Sequence, residues 1–328
     1  MTQQTAGTTP QVATAPNGLA IAVLIPCYNE ETAIGKVVEG FHKALPTSTI
    51  YVYDNNSSDR TSEVAAQAGA IVRLETYQGK GNVVRRMFAD IDADIYVLVD
   101  GDNTYEADAA SRLIQGLLDG PLDMVTGARI PADHILHRPG HKFGNKLFTG
   151  LVAMIFGRQT SDILSGYRVF SRRFVKSFPA LSRGFEIETE LTVHALEMRL
   201  PIQDMDTAYD DRLPGSESKL STFKDGFKIM KMIFNLIKEE RPLQFFGTIA
   251  LVAFVISLLL GMPIISEFLA TGLVPRFPTA ILSLGIMIIA VLSLFSGLIL
   301  DTVTLARREA KRLIYLQVPV TRHGTDNI

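Results

Sequence analysis

The chain has 328 residues, 32 Lys+Arg against 34 Asp+Glu for a net charge of -2, and 47% hydrophobic residues. A near-balanced charge lacks the basic excess of a nucleic-acid binder, so no nucleic-acid partner is expected, and a mean hydropathy of +0.20 with 20% charged residues excludes a chain disordered throughout. The lone cysteine, Cys27, excludes an internal disulfide and a multi-cysteine zinc site, and is compatible with a reducing, cytosol-facing compartment.

Residues 1–18 are rich in Thr, Gln, Ala and Pro, with no basic start and no apolar core, and read as a flexible tail rather than a signal peptide. Beyond them short apolar runs alternate with helical stretches. Strands are predicted at Ala20 to Ile25, Thr49 to Tyr53, Ala70 to Leu74, Ile95 to Val99 and Met124 to Thr126; helices are predicted at Glu31 to Ala44, Ser58 to Ala68, Asn82 to Asp90 and Ala107 to Leu118. Val- and Ile-rich strands separated by helices predict an α/β domain with a parallel sheet covered on both faces. Ligands of such sheets bind beyond the carboxyl ends of the strands. Those ends carry Pro26-Cys27-Tyr28-Asn29-Glu30, Asp54-Asn55-Asn56-Ser57-Ser58-Asp59-Arg60 and Asp100-Gly101-Asp102. Singly, each has a structural explanation as a helix cap or turn. Together they gather acids and amides on one edge, where carboxylates repel unless a cation or donor groups offset them. Asp100 and Asp102, delivered by a buried strand and separated by a glycine, can direct oxygens at one hard cation such as Mg2+ or Mn2+. No Gly-x-Gly-x-x-Gly follows the first strand and no phosphate-binding P-loop is present, which argues against a dinucleotide dehydrogenase or an NTPase. The stretch 134–157 reads either as an acceptor loop leading to a membrane-facing helix or as a core helix.

Phe223, Phe227, Met230, Phe234 and Ile237 share one helical face beside Lys224, Lys228, Lys231 and Lys238, which predicts an amphipathic helix over 223–241 lying in a membrane interface. Packing of that helix on the soluble part is the alternative. Pro242 to Ser266 and Phe277 to Leu300 contain no charged residue, and each exceeds the roughly 20 residues a helix needs to cross a bilayer. Two transmembrane helices joined by a short outer turn are therefore expected within 242–300. Lys224, Lys228, Lys231, Lys238 and Arg241 precede the first span; Arg307, Arg308, Lys311 and Arg312 follow the second. Basic flanks stay inside, so the soluble part, both termini and a basic tail over 301–328 are expected in the cytoplasm, with the protein in the cell (inner) membrane.

IPCYNEE, DNNSSDRT, the GKGN of 79–82, the DGD of 100–102, the TGAR ending at Arg129, the SGYRVF from Ser165 and the DRLPGSESKL from Asp211 resemble family 2 glycosyltransferases of the GT-A fold. Within that family the resemblance is to the polyprenyl-phosphate branch, which includes dolichyl-phosphate mannose synthase and undecaprenyl-phosphate glycosyltransferases. It covers about residues 21–220, so the domain is expected over 19–222. The resemblance implies that Pro26, Tyr28, Glu30 and Asp54 surround the base and ribose of a nucleotide sugar, that Lys80 borders the donor, and that Asp100 and Asp102 hold Mg2+ or Mn2+. It further implies that Arg129, Arg168, Arg212 and Lys219 hold the donor diphosphate and the lipid phosphate. Asp162 is a candidate base or an orienting partner for Arg168. Thr104 stands where some mannose synthases carry Gln or His, which leaves the third protein ligand open. The Gln-x-x-Arg-Trp motif of processive synthases is impossible in a chain without Trp.

The expected function is inverting transfer of one sugar from a nucleotide diphosphate sugar, preferably a UDP-sugar, to a membrane polyprenyl phosphate. A glycan or soluble acceptor, or a non-catalytic membrane adaptor of the same fold, are the alternatives. The interface helix and spans also offer surfaces for a homo-oligomer.

Overall fold

Alternation along the strands decides the architecture. In β1 (Ile21–Cys27), Ile21, Val23 and Ile25 join one apolar cluster while Ala22 and Leu24 join another, so the strand is buried on both faces. The computed structural model describes residues 18–131, 161–184, 186–210, 234–235 and 238–320. Six further strands complete the sheet: β2 (Thr49–Asp54), β3 (Ile71–Leu74), β4 (Ile95–Leu98), β5 (Met124–Pro131), β6 (Arg168–Ser171) and β7 (Ile202–Tyr209), in the order β3-β2-β1-β4-β6-β5-β7.

The first cluster packs Val23, Ile25, Val52 and Val97 against α1 (Ile34–Ala44), α2 (Thr61–Gln67) and α4 (Ala109–Asp119), through Val38, Phe41, Ala65 and Leu113. The second packs Leu24, Tyr53, Tyr96 and Phe170 against α3 (Lys80–Asp90), α5 (Arg172–Ser177) and α6 (Ile187–Met198), through Met87, Phe88, Phe174 and Leu191. Each fully buried Leu, Ile or Phe contributes about 1.5–3 kcal/mol of transfer free energy, so the two covered faces account for the rigidity of the scaffold.

The expectation of a wholly parallel sheet is corrected at β6, which runs antiparallel to both β4 and β5. The remaining pairings are parallel. The reversal has a consequence for the site. The carboxyl ends of β1, β2, β4, β5 and β7 and the amino end of β6 lie at the same edge, so the segment leading into Arg168 arrives where β4 and β5 finish.

The chain divides into two units, residues 1–225 with 311–328, and residues 226–310. Within the second, α7 (Pro242–Thr271) and the greater part of α8 (Phe277–Gln317) are long and apolar enough to cross a membrane. Their buried residues fall seven apart, Ala250, Ser257 and Ile264 on α7 and Ser283, Ala290, Gly297 and Thr304 on α8, the spacing of a helix–helix seam. Ser257 and Ser283 each donate a hydroxyl to the other's carbonyl, at 2.8 and 2.9 Å. At the foot of the hairpin Glu240 accepts from Arg307 at 2.8 Å and Arg308 at 2.9 Å. α8 does not stop at Leu300: its polar continuation runs to Gln317, so the first part of the expected basic tail is helical. In the first unit Lys311 donates to Glu197 at 2.6 Å and Tyr315 to Asp123 at 2.8 Å. The stretch 134–157 and most of the amphipathic stretch 223–241 lie outside the described residues.

Candidate functional site

The β1 and β2 ends interlock through their own polar groups. Asn29, in a left-handed conformation (φ 53°), accepts from the Ser58 amide at 2.8 Å and donates its own amide to Ser57 Oγ at 2.9 Å. Asp54 is buried, and its two carboxylate oxygens accept from the Ser57 amide (2.9 Å) and Ser62 Oγ (2.6 Å). The buried Glu30 donates its amide to Thr61 Oγ1 at 2.8 Å. Asn55 donates to the carbonyls of Glu75 and Tyr77, both at 2.9 Å, and accepts from the Gly79 amide at 2.6 Å. Pro26 and Tyr28 are half-buried beside them. Since the Asn29, Asp54 and Asn55 side chains each secure a neighbouring loop, this half of the edge is a preformed wall.

Beyond β4 the edge becomes charged. Asp102 is buried and accepts from Thr104 through the hydroxyl (2.6 Å) and the amide (3.3 Å). Thr104 therefore orients Asp102, whatever further ligand a cation takes. Asp100 is about one-third exposed and pairs with Lys80, whose ammonium also donates to Glu188 Oε1 at 2.5 Å. Burial opposes charge on Lys80, but the Asp100 and Glu188 carboxylates outweigh it and hold the ammonium well above its ordinary range. Burial pushes the Glu188 carboxyl up, Lys80 pulls it down and Asp100 adds repulsion; the net shift is upward.

Backbone packing fixes Lys80. Gly79 has φ +127° and, with Gly81, lies so close to the preceding loop of α6 that a Cβ at either would sit 2.1 Å from the Arg183 carbonyl oxygen or 2.2 Å from that of Ser182. The Gly81 amide donates to the Gly184 carbonyl at 3.1 Å, while Glu190 accepts from the amides of Leu181 (2.8 Å) and Ser182 (2.7 Å). Glu188 was missed in the sequence. The available signal was Glu186, Glu188 and Glu190 crowded into the start of an otherwise buried helix, where such acids favour the N-terminal dipole.

Asp162 to Tyr167 joins the charged groups. Asp162 grips Arg129 with both oxygens, at 2.7 and 2.8 Å, and the Arg129 guanidinium lies 5.5 Å over the Tyr209 ring. Burial alone would raise the Asp162 carboxyl, but hydrogen bonds and charge from Arg129 hold it below the usual carboxylate range. Ser165 Oγ donates to the Gly127 carbonyl at 2.6 Å, and the Gly166 amide to Tyr105 OH at 2.9 Å. A Cβ on Gly166 would sit 2.3 Å from Asp100 Oδ2, so this position admits the carboxylate only because it is glycine.

Arg168 has a different place from the one expected. It is fully buried, and its guanidinium donates to the carbonyls of Ile163 (2.6 Å) and Ser165 (3.0 Å) and to Thr192 Oγ1 (2.8 Å). Burial lowers its basicity below the ordinary arginine value. These bonds fix the segment carrying Asp162 and Gly166. Asp162 correspondingly orients Arg129 rather than Arg168. Arg212 and Lys219 lie outside the described residues.

Asp100 and Asp102 present hard oxygen donors two residues apart, which fits Mg2+ or Mn2+. Among the described residues no group of three or more His, Cys, Asp or Glu is placed to hold a metal ion.

Comparisons with known proteins bear on the family and the fold. The model of the family described as Glycosyl transferase family 2 matches residues 22–178. The glycosyltransferase AglJ of Haloferax volcanii is 32% identical over 314 residues, 92% of this chain and 100% of its own length. A dolichyl-phosphate hexose transferase of the same organism is 28% identical over 221 residues, 67% of this chain and 95% of its own. Among solved structures, the glucosyl-3-phosphoglycerate synthase of Mycobacterium tuberculosis in complex with Mn2+, UDP and glucosyl-3-phosphoglycerate matches with a TM-score of 0.56 and 22% identity, over 73% of this chain and 86% of that one. This likeness identifies the α/β unit as GT-A.

Proposed function

Because the chain belongs to glycosyl transferase family 2 and is a glycosyltransferase, we propose that it moves one sugar, with inversion, from a UDP-sugar to the phosphate of a membrane polyprenol. The observation that carries this reading is one sheet edge that holds Asp102, the Lys80–Asp100 pair and the Arg129–Asp162 pair, in a chain that also has two helices of membrane-crossing length. Support for the acceptor comes from the relative named as a dolichyl-phosphate hexose transferase, and for the donor from the neighbour solved with Mn2+ and UDP.

When bound, Mg2+ or Mn2+ held by Asp100 and Asp102 would neutralise the departing nucleoside diphosphate. Pro26, Tyr28, Glu30 and Asp54 form the wall for base and ribose, and Lys80 borders the diphosphate. Arg129, held in orientation by Asp162, receives the acceptor phosphate together with Arg212 and Lys219. A phosphate monoester, with a second pKa near 6, is largely anionic at neutral pH and needs little help from a base. Cations that bring two anions together are the greater requirement. Asp162, with its lowered pKa and paired oxygens, suits orientation better than proton uptake. Arg168 acts one step back, by holding the Asp162 loop. The amphipathic stretch 223–241 and the spans keep the reaction at the cytoplasmic face of the bilayer, where a lipid phosphate resides.

The test uses the detergent-solubilised full chain with polyprenyl phosphate, Mn2+ or Mg2+, and labelled sugar nucleotides. A lipid-linked monosaccharide is expected with one UDP-sugar, and Asp102→Asn should reduce its formation at least about 100-fold, the scale lost with one preorganised electrostatic group. Absence of product with every donor, from protein that still binds nucleotide, would refute the lipid acceptor. Transfer to a water-soluble acceptor instead would favour the soluble-glycan alternative.

A further inference from the structure

We infer that Lys80 is an internal counter-cation shared between Asp100 and Glu188, and that Glu188 is the positioning residue that retains Lys80 when Asp100 turns to a divalent cation. The inference rests on the reading of Asp100 and Asp102 as the metal-holding pair.

Three observations lead to it. One ammonium bridges two carboxylates: Lys80 and Glu188 side chains are each 8% exposed, while Asp100 is 31% exposed. Asp100 is thus the partner open to an incoming ligand, and Glu188 the one sealed from it. Glu188 has acceptor capacity in reserve, because Oε2 is buried and has no hydrogen-bond partner among the described residues. An ammonium carries three donors, so a Lys80 that leaves Asp100 can turn a proton to Glu188 Oε2 without leaving its cavity. Finally, the lysine is anchored at its root, since Gly79 and Gly81 lie flush against 182–184 just ahead of the helix that carries Glu188. The exchange needs only side-chain rotation.

A cation approaching Asp100 therefore competes with Lys80, and the competition sets the site's affinity. In the empty protein Lys80 neutralises Asp100 and limits repulsion from Asp102. After the exchange its charge stays beside the pair, available to a diphosphate. Glu188 never needs to touch the metal or the donor.

The experiment is nucleotide-free Mn2+ binding to the solubilised full chain, read from the electron paramagnetic resonance of unbound Mn2+. Lys80→Gln removes the competitor and should tighten Mn2+ binding about tenfold. Glu188→Gln leaves Lys80 with Asp100 alone and should weaken it several-fold. In Lys80→Gln/Glu188→Gln the Glu188 effect should vanish, because the lysine it retains is gone. Unchanged or weaker binding in Lys80→Gln overturns the inference. So does an equal Glu188→Gln effect in both backgrounds, which would mean a through-space charge effect only. Should Lys80→Gln fail to fold with Glu188 stranded as a buried charge, the double variant carries the test: tighter binding than wild type supports the exchange, and equal or weaker binding overturns it. Wild type that binds no Mn2+, with or without UDP, removes the metal-pair reading and this inference together, whereas wild-type binding without the Lys80 effect removes this inference alone.

Discussion

In the α/β unit Val23, Leu24 and Tyr96 are fully buried, whereas in the hairpin Leu259 is 70% exposed and the buried positions are mostly small or hydroxylated, among them Ala250, Ser257, Ser283, Ala290 and Gly297. The first unit hides large apolar side chains from water and pairs its buried charges, both at the carboxyl edge of the sheet, as in Lys80–Glu188, and away from it, as in Lys311–Glu197. The second turns large apolar side chains outward and packs small and hydroxylated ones together, as expected where lipid supplies no hydrophobic drive between helices. A buried polar group thus means different things in the two regions. In the α/β unit a buried charge is costly unless paired, which makes those at the carboxyl edge of the sheet leads to function. In the hairpin a buried serine is part of ordinary packing.

The sharpest way to break this contrast is to strand a charge. Asp162→Leu leaves Arg129 without its bidentate partner and should cost about 3 kcal/mol, the lower end for a broken buried pair because Arg129 is partly exposed. Asp162→Leu/Arg129→Leu should cost much less than the sum of the single changes, measured by thermal unfolding of the solubilised protein. The pH dependence has a definite sign. With the folded Asp162 pKa depressed, the pair's stabilisation is complete above the ordinary carboxylate range and lost as pH falls through the folded value. The Asp162→Leu deficit should therefore shrink only in acid. A deficit independent of pH, or additive in the double variant, would show that the pair is not a stabilising ion pair.

A smaller effect concerns a buried group with no part in the site. His194 packs edge-on against the stacked Phe174 and Phe178 rings, each 5.3 Å away, and burial, with a contribution from Lys311, pushes its pKa down to about 3. Between that value and the ordinary 6.5 the unfolded chain binds a proton that the folded one does not, so stability declines as pH falls below 6.5. From pH 8 to pH 5 the loss should be about 2 kcal/mol. His194→Phe should flatten that slope; an unchanged slope would locate the titration elsewhere.

Legibility in the sequence follows the same division. β1, β2 and β4 were readable because apolar residues continue on both faces up to an abrupt acid or amide, and the hairpin because charge vanishes over whole spans. β6 was hidden: only four residues long, it begins with Arg168, whose charge is covered by the carbonyls of Ile163 and Ser165 rather than by water. The motif residues at the strand ends do gather on one edge, but spacing cannot tell an arginine that faces a ligand from one that braces a loop. Arg129 and Arg168 look alike in sequence, and burial separates them. Glu188 escaped because its partner, Lys80, is distant in the chain and their meeting depends on two glycines that only the packed loop explains.

The smallest expected effect sharpens the contrast from the lipid side. Ser257 and Ser283 exchange hydroxyl-to-carbonyl bonds across the seam, and Gly261 approaches Ser283 so closely that a Cβ would lie 2.9 Å from its Oγ. Ser257→Ala removes one donor yet leaves the Ser283 carbonyl with its own helical bond, so the loss should be about 0.6 kcal/mol, the average for polar contacts between membrane helices. Gly261→Leu should cost more, because it forces the helices apart instead of deleting one bond. Thermal unfolding in lipid nanodiscs would check the order. A Ser257→Ala loss as large as that of Asp162→Leu would mean that the hairpin, like the sheet edge, depends on its polar groups rather than on close packing of small residues.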